Sequence, residues 1–378
     1  LTLYGQDSNT PQRQKICLNR IVKDESKIIR RCLDSVKPFI DYWVIVDTGS
    51  SDGTQKIIKQ HMKGVPGELH QRKWKNWGET RTEALTLAKG KGDYLLFMDA
   101  DDLLEFDPDF ERPIFTADLY HMWRGTKDFS YLKPQIVKAS LPWKWVGVTH
   151  EYLGCDKPYT SETLEHVKYV SIDDGATRSL GVEKYWKNVK LLEEGLKKEP
   201  NNERYAFYLA ESYRDAGEKG KALEWFQKRI NMGGWAEEIF WARLQIALLL
   251  HGMGLPPSVV IESYLNAHNF RPHRIEPIYY LAQLYNEQGE HKKAYQLIKK
   301  RELMEQPSQK DSLFNMDWME EYGLLFQLSI SSYFVGNYQE SLNACDKLLQ
   351  IERLPESWRM QTVTNRTYPL NKLQASPD

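Results

Sequence analysis

Three aspartates follow a short apolar run in the stretch YLLFMDADDLLEF, residues 94–106. Asp99 and Asp101 have an Asp-x-Asp spacing, and Asp102 follows directly. Mg²⁺ and Mn²⁺ prefer oxygen ligands and keep coordination positions free for phosphate, so such a pair on a turn can hold a divalent cation against a diphosphate. The alternative interpretation is a solvated turn that caps a helix. The first interpretation requires further polar groups near the same strand end.

Two other apolar runs also end in polar loops. VKDES follows the first run at residues 22–26, and VDTGSSDGT follows the second at residues 46–54. The Gly-Ser-Ser-Asp-Gly turn in the second loop can let a nucleoside approach the backbone closely, because glycine has no side chain to obstruct it. The three loops together indicate a site for a nucleotide and a cation.

Residues 14–105 predict the scaffold that these loops need. Short apolar runs predict strands, and apolar residues that recur on one face predict helices. The predicted strands are KICLNRIV (15–22), YWVIVD (42–47) and DYLLFMD (93–99), and the predicted helices are ESKIIRRCLDSV (25–36), DGTQKIIKQHM (52–62) and GETRTEALTLAKG (78–90). This alternation predicts a parallel α/β sheet with helices on its faces, whose ligands bind beyond the carboxyl ends of the strands. Asp52 is predicted to cap the second helix.

Residues 181–350 follow a different pattern, which is helical and repetitive. Six positions recur 72 residues later, and they are Pro200, Leu209, Ala210, Tyr213, Gly217 and Ala222, matched by Pro272, Leu281, Ala282, Tyr285, Gly289 and Ala294. A fainter copy lies between them at Ala247 and Gly254, and a fourth lies around Tyr333, Gly336, Tyr338 and Ala344. This period predicts tetratricopeptide-type helix–turn–helix repeats. A helical bundle without repeats is the alternative.

The bulk composition is that of a globular protein with two domains, which we place at residues 1–180 and 181–378. The chain has 378 residues, of which 41% are hydrophobic and 27% are charged. With 51 basic and 52 acidic residues, the overall charge gives no electrostatic reason to expect nucleic acid or an anionic membrane as a partner. The segment RKWKNW, residues 72–77, mixes cations and aromatic rings and keeps a nucleic-acid surface open as an alternative to a loop near the donor.

The cysteines and the hydropathy pattern lead us to expect a cytoplasmic protein. The four cysteines lie far apart and form no CxxC pair, which favours a reducing compartment. No apolar run reaches the roughly 18–20 residues of a membrane span, and no signal peptide is recognised.

Four segments together resemble the nucleotide-sugar domain of family-2 glycosyltransferases with a GT-A fold. They are IVKDES (21–26), VIVDTGSSDGT (44–54), NWGETRTEAL (76–85) and LFMDADD (96–102). A later segment, WVGVTHEYL (145–153), is similar to the His-Glu element of a subgroup that includes lipopolysaccharide-core glucosyltransferases and sublancin-type peptide S-glycosyltransferases. The latter also carry tetratricopeptide-like helices after the catalytic domain. The resemblance implies a Rossmann-like GT-A domain followed by an all-α repeat solenoid.

The resemblance also implies roles in nucleotide binding. Asp47 is expected to contact the base, and Lys23 and Glu25 are expected to line the nucleoside pocket. Asp99 is expected near the ribose. Arg81 is expected either to meet the diphosphate or to support Asp99.

The implied reaction needs a cation and a base. Asp101, with Asp99, is expected to bind Mn²⁺ or Mg²⁺ through the diphosphate, and Arg81 or Arg178 could neutralise the leaving group. Glu151 is expected to take the acceptor proton. His150 is the alternative base or a metal ligand, and a surface pair on a strand end is the plainer interpretation of His150 and Glu151.

Two positions and one later segment depart from the family pattern. Position 24 is Asp and position 82 is Thr where Asn is common, so the donor sugar is left open. Asp173 and Asp174 occupy a segment in which relatives often place a His, so no His ligand to the metal is expected there.

The expected function is therefore metal-dependent, inverting transfer of a hexose-type sugar from a UDP-sugar. The repeats would present a protein, peptide or glycan acceptor, or mediate a homodimer. Trp143 and Trp145 could stack on the acceptor or belong to the core. The alternatives are glycosylation of a nucleic-acid base, a repeat scaffold with a vestigial transferase domain, and a nucleotidyltransferase on a similar sheet.

Overall fold

A computed structural model describes residues 13–125, 130–172, 174–175, 180–303, 313–314 and 316–375, with the side chains of 130 and 131 excluded. The chain divides into two compact units, Leu1–Pro200 and Asn201–Asp378. The first unit extends past the domain boundary predicted at residue 180, which stays a prediction. None of the helices in the described ranges is both long and apolar enough to cross a membrane.

The first unit is built on a mixed sheet in the order β3-β2-β1-β4-β7-β6-β10-β5, beside a small hairpin of β8 and β9. Strands β3, β2, β1 and β4 are parallel to one another, β7 is antiparallel to β4 and β6, β10 is parallel to β6, and β5 is antiparallel to β10. The strands are β1 (Ile16–Val22), β2 (Tyr42–Asp47), β3 (Gly67–Gln71), β4 (Tyr94–Phe97), β5 (Leu103–Phe106), β6 (Leu119–Gly125), β7 (Ser130–Lys138), β8 (Trp143–Val146), β9 (Tyr152–Cys155) and β10 (Ser161–Val170). The predicted α/β architecture is confirmed.

Helices cover both faces of this sheet. The helices of the first unit are α1 (Ile29–Val36), α2 (Thr54–His61), α3 (Trp77–Ala88) and α4 (Glu183–Lys198). Leu18 and Leu96 pack with Leu33 of α1 on one face, and Cys17 and Leu95 pack with Leu85 of α3 on the other. Because β1 and β4 are buried on both faces, they appear in the sequence as continuous apolar runs.

Two helix starts differ from the sequence prediction. The first helix begins at Ile29, because the preceding residues form a turn in which the Glu25 carbonyl accepts hydrogen bonds from the Ile28 and Ile29 N–H groups. The second begins at Thr54 and has Gly53, at φ 92°, as its N-cap. Asp52 is therefore not the N-cap residue, although its Oδ1 accepts a hydrogen bond from the Thr54 N–H at 3.0 Å.

The second unit is helical throughout its regular elements and contains the predicted repeats. Its helices are α5 (Glu203–Asp215), α6 (Lys219–Met232), α7 (Ala236–Gly252), α8 (Pro257–Phe270), α9 (Glu276–Glu287), α10 (His291–Glu302), α11 (Leu324–Phe334), α12 (Tyr338–Gln350) and α13 (Glu356–Ala375), with a π-helical turn at Met319–Gly323. The glycine of each predicted repeat ends the first helix of a pair in the left-handed region, at Gly217, Gly254, Gly289 and Gly336. The recurring alanines are buried at helix contacts. The repeat prediction is confirmed, because the recurring glycines lie between the two helices of a pair and the recurring alanines lie where helices pack together.

Glu211 on α5 gives the second unit a pH-dependent stability. Its side chain is 13% exposed, contacts Arg214 at 2.8 Å and accepts a hydrogen bond from Trp241 Nε1 at 3.1 Å. Burial raises the pKa of Glu211 to about 7, against the opposing charge of Arg214. The folded form therefore favours the protonated carboxyl, and this contribution to stability is lost as the pH rises from the unfolded value of about 4.3 through 7.

We expect Glu211→Gln to flatten the fall in stability between pH 4.5 and pH 7. At pH 8 the variant should exceed wild type by about 3 to 4 kcal/mol in free energy of unfolding. Urea unfolding from pH 4.5 to pH 8 measures the slope of stability with pH and the difference at pH 8. Glu224→Gln, at a 60% exposed side chain on α6, is the control and should keep the wild-type slope. Equal slopes in Glu211→Gln and wild type would contradict the assignment.

Candidate active site

The loops that follow β1 and β2 are tied to each other at the carboxyl edge of the sheet. Asp24, at φ 53°, donates its N–H to Ser50 Oγ at 2.9 Å and accepts the Ser51 N–H on Oδ1 at 2.8 Å. The aspartate that stands where the family often has Asn therefore joins two loops. These contacts fix the shape of the turn that follows Asp47.

Asp52 completes the same junction. Its Oδ2 accepts the Ser26 N–H at 2.9 Å, and its Oδ1 accepts the Thr54 Oγ1–H at 2.6 Å. Burial would raise the pKa of Asp52, but the hydrogen bonds from Thr54 and Ser26 outweigh it and hold the pKa well below its usual range. Asp52 is thus a loop-shaping residue.

Asp47 is fully buried at the end of β2 and has one oxygen without a partner. Its Oδ1 accepts hydrogen bonds from the Gly49 N–H, the Ser50 N–H and Gln55 Nε2, at 3.0, 2.9 and 2.9 Å. Its Oδ2 has no hydrogen-bond partner within the described residues. Buried acceptors are nearly always satisfied in folded proteins, so this oxygen fits a donor supplied by a ligand.

Lys23 and Glu25 lie beside Asp47, because the register places Val22 opposite it. Lys23 is exposed and Glu25 is partly exposed, and Glu25 anchors its own loop by donating its N–H to Thr54 Oγ1 at 2.9 Å. Both positions border the region in front of Asp47 where a nucleoside would be held. Their roles as nucleoside contacts stay a prediction.

Asp99 follows β4 and is held by arginines. Arg81 Nη2 donates to Asp99 Oδ1 at 2.6 Å, and Arg124 Nη1 lies 3.5 Å from Asp99 Oδ2. Burial would raise the pKa of Asp99, but the charges of Arg81, Lys133 and Arg124 outweigh it and hold the pKa far below its usual range. Asp99 is therefore an ionised, oriented carboxylate whose two oxygens already face cations.

Arg81 connects Asp99 to Glu151. Its Nε lies 2.8 Å from Glu151 Oε1, and its guanidinium lies 5.8 Å from the Trp77 ring and 5.3 Å from the Trp145 ring. The two rings and the two carboxylates fix the side chain in one position. Of the two expected roles for Arg81, this geometry favours support of Asp99.

Asp101 differs from Asp99 and Asp102, because within the described residues it forms no ion pair with an arginine or lysine side chain. Its Oδ2 accepts the Gly175 N–H at 3.3 Å, and its carbonyl accepts from Arg31 Nη2 at 3.2 Å. A Cβ at position 175 would lie 2.8 Å from Asp101 Oδ2, so glycine is required for this approach. Burial, together with the charge of Asp99, raises the pKa of Asp101.

Asp101 fits a site for a divalent cation completed by substrate phosphates. Within the described ranges no three His, Cys, Asp or Glu side chains come close enough together to bind a metal on their own. Mg²⁺ is commonly bound by one or two carboxylates plus phosphate oxygens, and a partly buried carboxylate without a cationic partner suits that arrangement. Asp99 is less suited than Asp101 to bind a cation, because its two oxygens already contact two arginines. Arg178 and Asp173 lie outside the described residues.

Glu151 and His150 are presented by a segment that packs on the start of α3. The Gly78 N–H donates to the Gly147 carbonyl at 3.1 Å, and Thr82 Oγ1 accepts the Trp145 N–H at 2.9 Å. Thr82, the second departure from the family pattern, thus fixes the backbone of the segment at Trp145 to α3. The Glu151 side chain is 13% exposed, and His150 is exposed at φ 50°. Their catalytic roles stay predictions.

The aromatic residues separate into core and site. Trp143 is 3% exposed and donates its Nε1–H to the Lys138 carbonyl at 3.0 Å, so it belongs to the core. Trp145 packs on Arg81 as described above. The cations of RKWKNW do not form a free stripe, because Arg72 and Lys75 both pair with Glu83, at 2.8 and 3.0 Å.

Three cationic residues of the site were not predicted from the sequence. Arg20 donates to the Met98 carbonyl from Nε at 3.1 Å and to the Asp99 carbonyl from Nη2 at 2.6 Å, and Arg124 donates to buried Asp102 at 3.0 Å. Lys133 is the third. Only Arg20 could have been recognised from the sequence, because a charged residue within an apolar strand is unusual. Arg124 and Lys133 belong to no motif.

Comparisons with known proteins find a matching family model and similar proteins. The sequence model described as glycosyl transferase family 2 matches residues 19–117. The SPbeta prophage-derived glycosyltransferase SunS of Bacillus subtilis is 25% identical over 250 residues, which cover 60% of this chain and 55% of that protein. Glycosyltransferase SunS of Bacillus phage SPbeta matches with the same figures. The chain thus spans about half the length of these curated relatives.

The repeats have relatives of their own. A TPR repeat-containing protein of Synechococcus elongatus is 34% identical over 91 residues, which cover 24% of this chain and 21% of that protein. Among solved structures, a tetratricopeptide repeat protein from Parabacteroides merdae has a TM-score of 0.37 at 16% identity and covers 52% of this chain and 71% of its own. A TPR protein of Thermus thermophilus has a TM-score of 0.33 at 16% identity, over 50% of this chain and 95% of its own. Residues 19–117 thus match a family-2 glycosyltransferase domain, and part of the chain is similar to a TPR repeat-containing protein.

Proposed function

We propose that this chain is a metal-dependent, inverting glycosyltransferase that moves a hexose-type sugar from a UDP-sugar to a polypeptide or glycan acceptor. The observation that carries the proposal is Asp47, a fully buried carboxylate with one unpartnered oxygen at the end of β2. An unmet buried acceptor is costly, and the imide N–H of uracil is a donor of matching chemistry. The family match and the glycosyltransferase names of the Bacillus relatives support the same class of reaction.

The donor would lie along the carboxyl edge of the sheet. Asp47 would bind the base, and the junction between the two loops would hold the ribose side of the nucleotide. Asp101 would hold the divalent cation, which supplies charge neutralisation to the diphosphate when bound. Asp99, oriented by Arg81 and Arg124, would border the sugar-bearing end.

Transfer with inversion requires one displacement at the anomeric carbon. The acceptor forms its bond to that carbon as the bond to the diphosphate oxygen breaks, and the acceptor proton must go to a base. Glu151 supports this role because it is a carboxylate at the same edge, held by Arg81 Nε at 2.8 Å. Arg81 thus orients both Asp99 and Glu151.

The repeats support a polypeptide or glycan as the acceptor, since repeat solenoids offer extended binding surfaces. Transfer to a nucleic-acid base is less well supported, because two of the three cations of residues 72–77, Arg72 and Lys75, are engaged by Glu83. A scaffold with a vestigial domain is less well supported as well, because Asp47, Asp101 and Glu151 are all retained. A homodimer through the repeats stays a prediction.

Nucleotide release and nucleotide binding test the proposal. Wild type should hydrolyse one member of a panel of UDP-hexoses slowly in the presence of Mn²⁺ or Mg²⁺, and a chelator should stop the release. UDP should raise the melting temperature more than GDP does, because a site in which Asp47 accepts the imide N–H of uracil is smaller than guanine requires, and dTDP, whose thymine carries the same imide N–H, is measured alongside. Release of nucleotide from no donor, together with no thermal shift from any of the three diphosphates, would refute the transferase proposal.

A further inference from the structure

Lys133 of β7 lies beside the carboxyl end of β4, although it belongs to none of the recognised motifs. The antiparallel register of these strands pairs Leu96 with Ile136. On its other side β7 pairs with β6, where Lys133 lies opposite Met122, two residues from Arg124, whose Nη1 lies 3.5 Å from Asp99 Oδ2. A lysine is thus delivered to the acidic loop by a strand that is remote in sequence from it.

The charges around Lys133 are those of the candidate active site. Burial lowers the pKa of Lys133, Asp99 and Glu151 oppose that effect, and Arg124 and Arg81 add to it. Every group that acts on the lysine therefore also belongs to the site described above. Lys133 is therefore near enough to these charged groups to interact with them electrostatically.

Lys133 has no counter-ion of its own in the described part of the chain. It is only partly exposed, and no carboxylate there forms an ion pair with it. Asp99, whose charge acts on Lys133, already contacts Arg81 at 2.6 Å and Arg124 at 3.5 Å through its two oxygens. A partly buried cation without a partner is unfavourable, and an anion that binds beside it removes that penalty.

The arginines of the site differ from Lys133 in this respect. Arg81 is committed to Asp99 and Glu151, and Arg124 is committed to Asp99 and Asp102. Arg124 also stacks on Tyr169, with its guanidinium carbon 4.9 Å from the ring. The arginines therefore set the geometry of the carboxylates, whereas the lysine keeps its charge for a ligand.

We infer that Lys133 binds the diphosphate of the nucleotide-sugar donor. The inference rests on the proposed function, in which the diphosphate is the anionic part of a donor that carries a neutral hexose. Lysine is suited to this contact, because its ammonium is a compact charge with three rotatable donors. The contact strengthens as the leaving group gains charge, so it aids departure as well as binding.

The test compares UDP with uridine for wild type, Lys133→Met and Lys133→Arg in the presence of Mn²⁺. Methionine keeps the length of the side chain and removes the charge. We expect the Kd for UDP to rise about tenfold to a hundredfold in Lys133→Met, as for the loss of a hydrogen bond to a charged group. The Kd for uridine, which has no phosphate, should stay the same, and Lys133→Arg should recover most of the affinity for UDP.

Thermal stability separates a ligand-binding lysine from a structural one. The ligand-free Lys133→Met protein should melt at or above the wild-type temperature, because the substitution removes a poorly compensated buried charge. Lys138→Met is the matched control, since Lys138 lies on the same strand, is exposed and pairs with Asp118 away from the acidic loop. It should bind UDP as wild type does.

Two results would overturn the inference. The first is an unchanged Kd for UDP in Lys133→Met. The second is a lower melting temperature together with equal weakening of UDP and uridine, which would assign Lys133 a structural role. A wild-type protein that binds none of UDP, GDP and dTDP would instead refute the proposed function itself.

Discussion

Replacing Asp101 with asparagine should lower kcat/KM for sugar transfer at least a hundredfold, as expected when a metal-held electrostatic contact to the leaving group is lost. Asparagine keeps an oxygen that can accept the Gly175 N–H, so the local backbone contact is retained. What it removes is the negative charge that would attract Mn²⁺ or Mg²⁺ to the diphosphate. Transfer assays at several metal concentrations measure the effect.

The metal dependence makes this prediction specific. Wild type should bind UDP more tightly when Mn²⁺ is added, and Asp101→Asn should lose most of that enhancement. Because a partly buried charge is removed, the melting temperature of the variant should not fall. Asp109→Asn, at an exposed loop position, is the control and should behave as wild type. If Asp101→Asn retains both transfer and the response to Mn²⁺, Asp101 is not the cation ligand.

Replacing Glu151 with glutamine should lower kcat by roughly 10² to 10⁴ and leave donor binding intact. Glutamine has the shape of glutamate, and its oxygen can still face Arg81 Nε, 2.8 Å away in the wild-type protein. It cannot take a proton from the acceptor at neutral pH. The expected signature is therefore a loss in kcat with an unchanged Kd for UDP.

Two further variants determine whether Glu151 or His150 is the base. Glu165→Gln, at an exposed position of β10, should leave kcat unchanged and controls for the substitution. His150→Asn tests the alternative base, because His150 precedes Glu151 and is exposed. A large loss in His150→Asn with normal turnover in Glu151→Gln would transfer the role to the histidine. Loss of UDP affinity in Glu151→Gln would show that the carboxylate supports the site through Arg81.

The two variants probe different halves of one displacement. In the proposed reaction Asp101 would act on the leaving group and Glu151 on the incoming acceptor, so Asp101→Asn should impair hydrolysis of the donor as well as transfer. Lys133 belongs with Asp101 in this division, since both would contact the diphosphate. Arg81 spans the two halves through its contacts to Asp99 and Glu151.

Much of the scaffold was predictable from local patterns. The strands around residues 16–22, 42–47 and 94–97 are continuous apolar runs because the sheet buries both of their faces. Strand β3 was missed, because GELHQ lies at the sheet edge, is only partly buried and shows no apolar run. The antiparallel half of the sheet was missed for a related reason, since its strands have less regular patterns than a βαβ unit.

The repeats were the most predictable part of the chain. Each pair of helices needs a left-handed residue between them and a small residue where they cross, so glycine and alanine recur at fixed intervals. The start of α2 shows the limit of such reasoning. Asp52 has the chemistry of an N-cap, but the chain places Gly53 there and uses Asp52 to join two loops.

The sequence by itself determined the carboxylates and the elements that present them. Asp47, Asp99 and Asp101 end strands that their own apolar runs specify, so their common edge follows from the topology of a parallel sheet. Which of them is free of a cationic side chain was decided by the tertiary structure, because that depends on the partners each oxygen finds. Asp99 is paired by Arg81 and Arg124, Asp101 is left with a backbone N–H, and Lys133 arrives from another strand without a partner. Local patterns encode backbone conformation and burial, whereas ion pairing depends on distances between side chains that only the folded chain brings together.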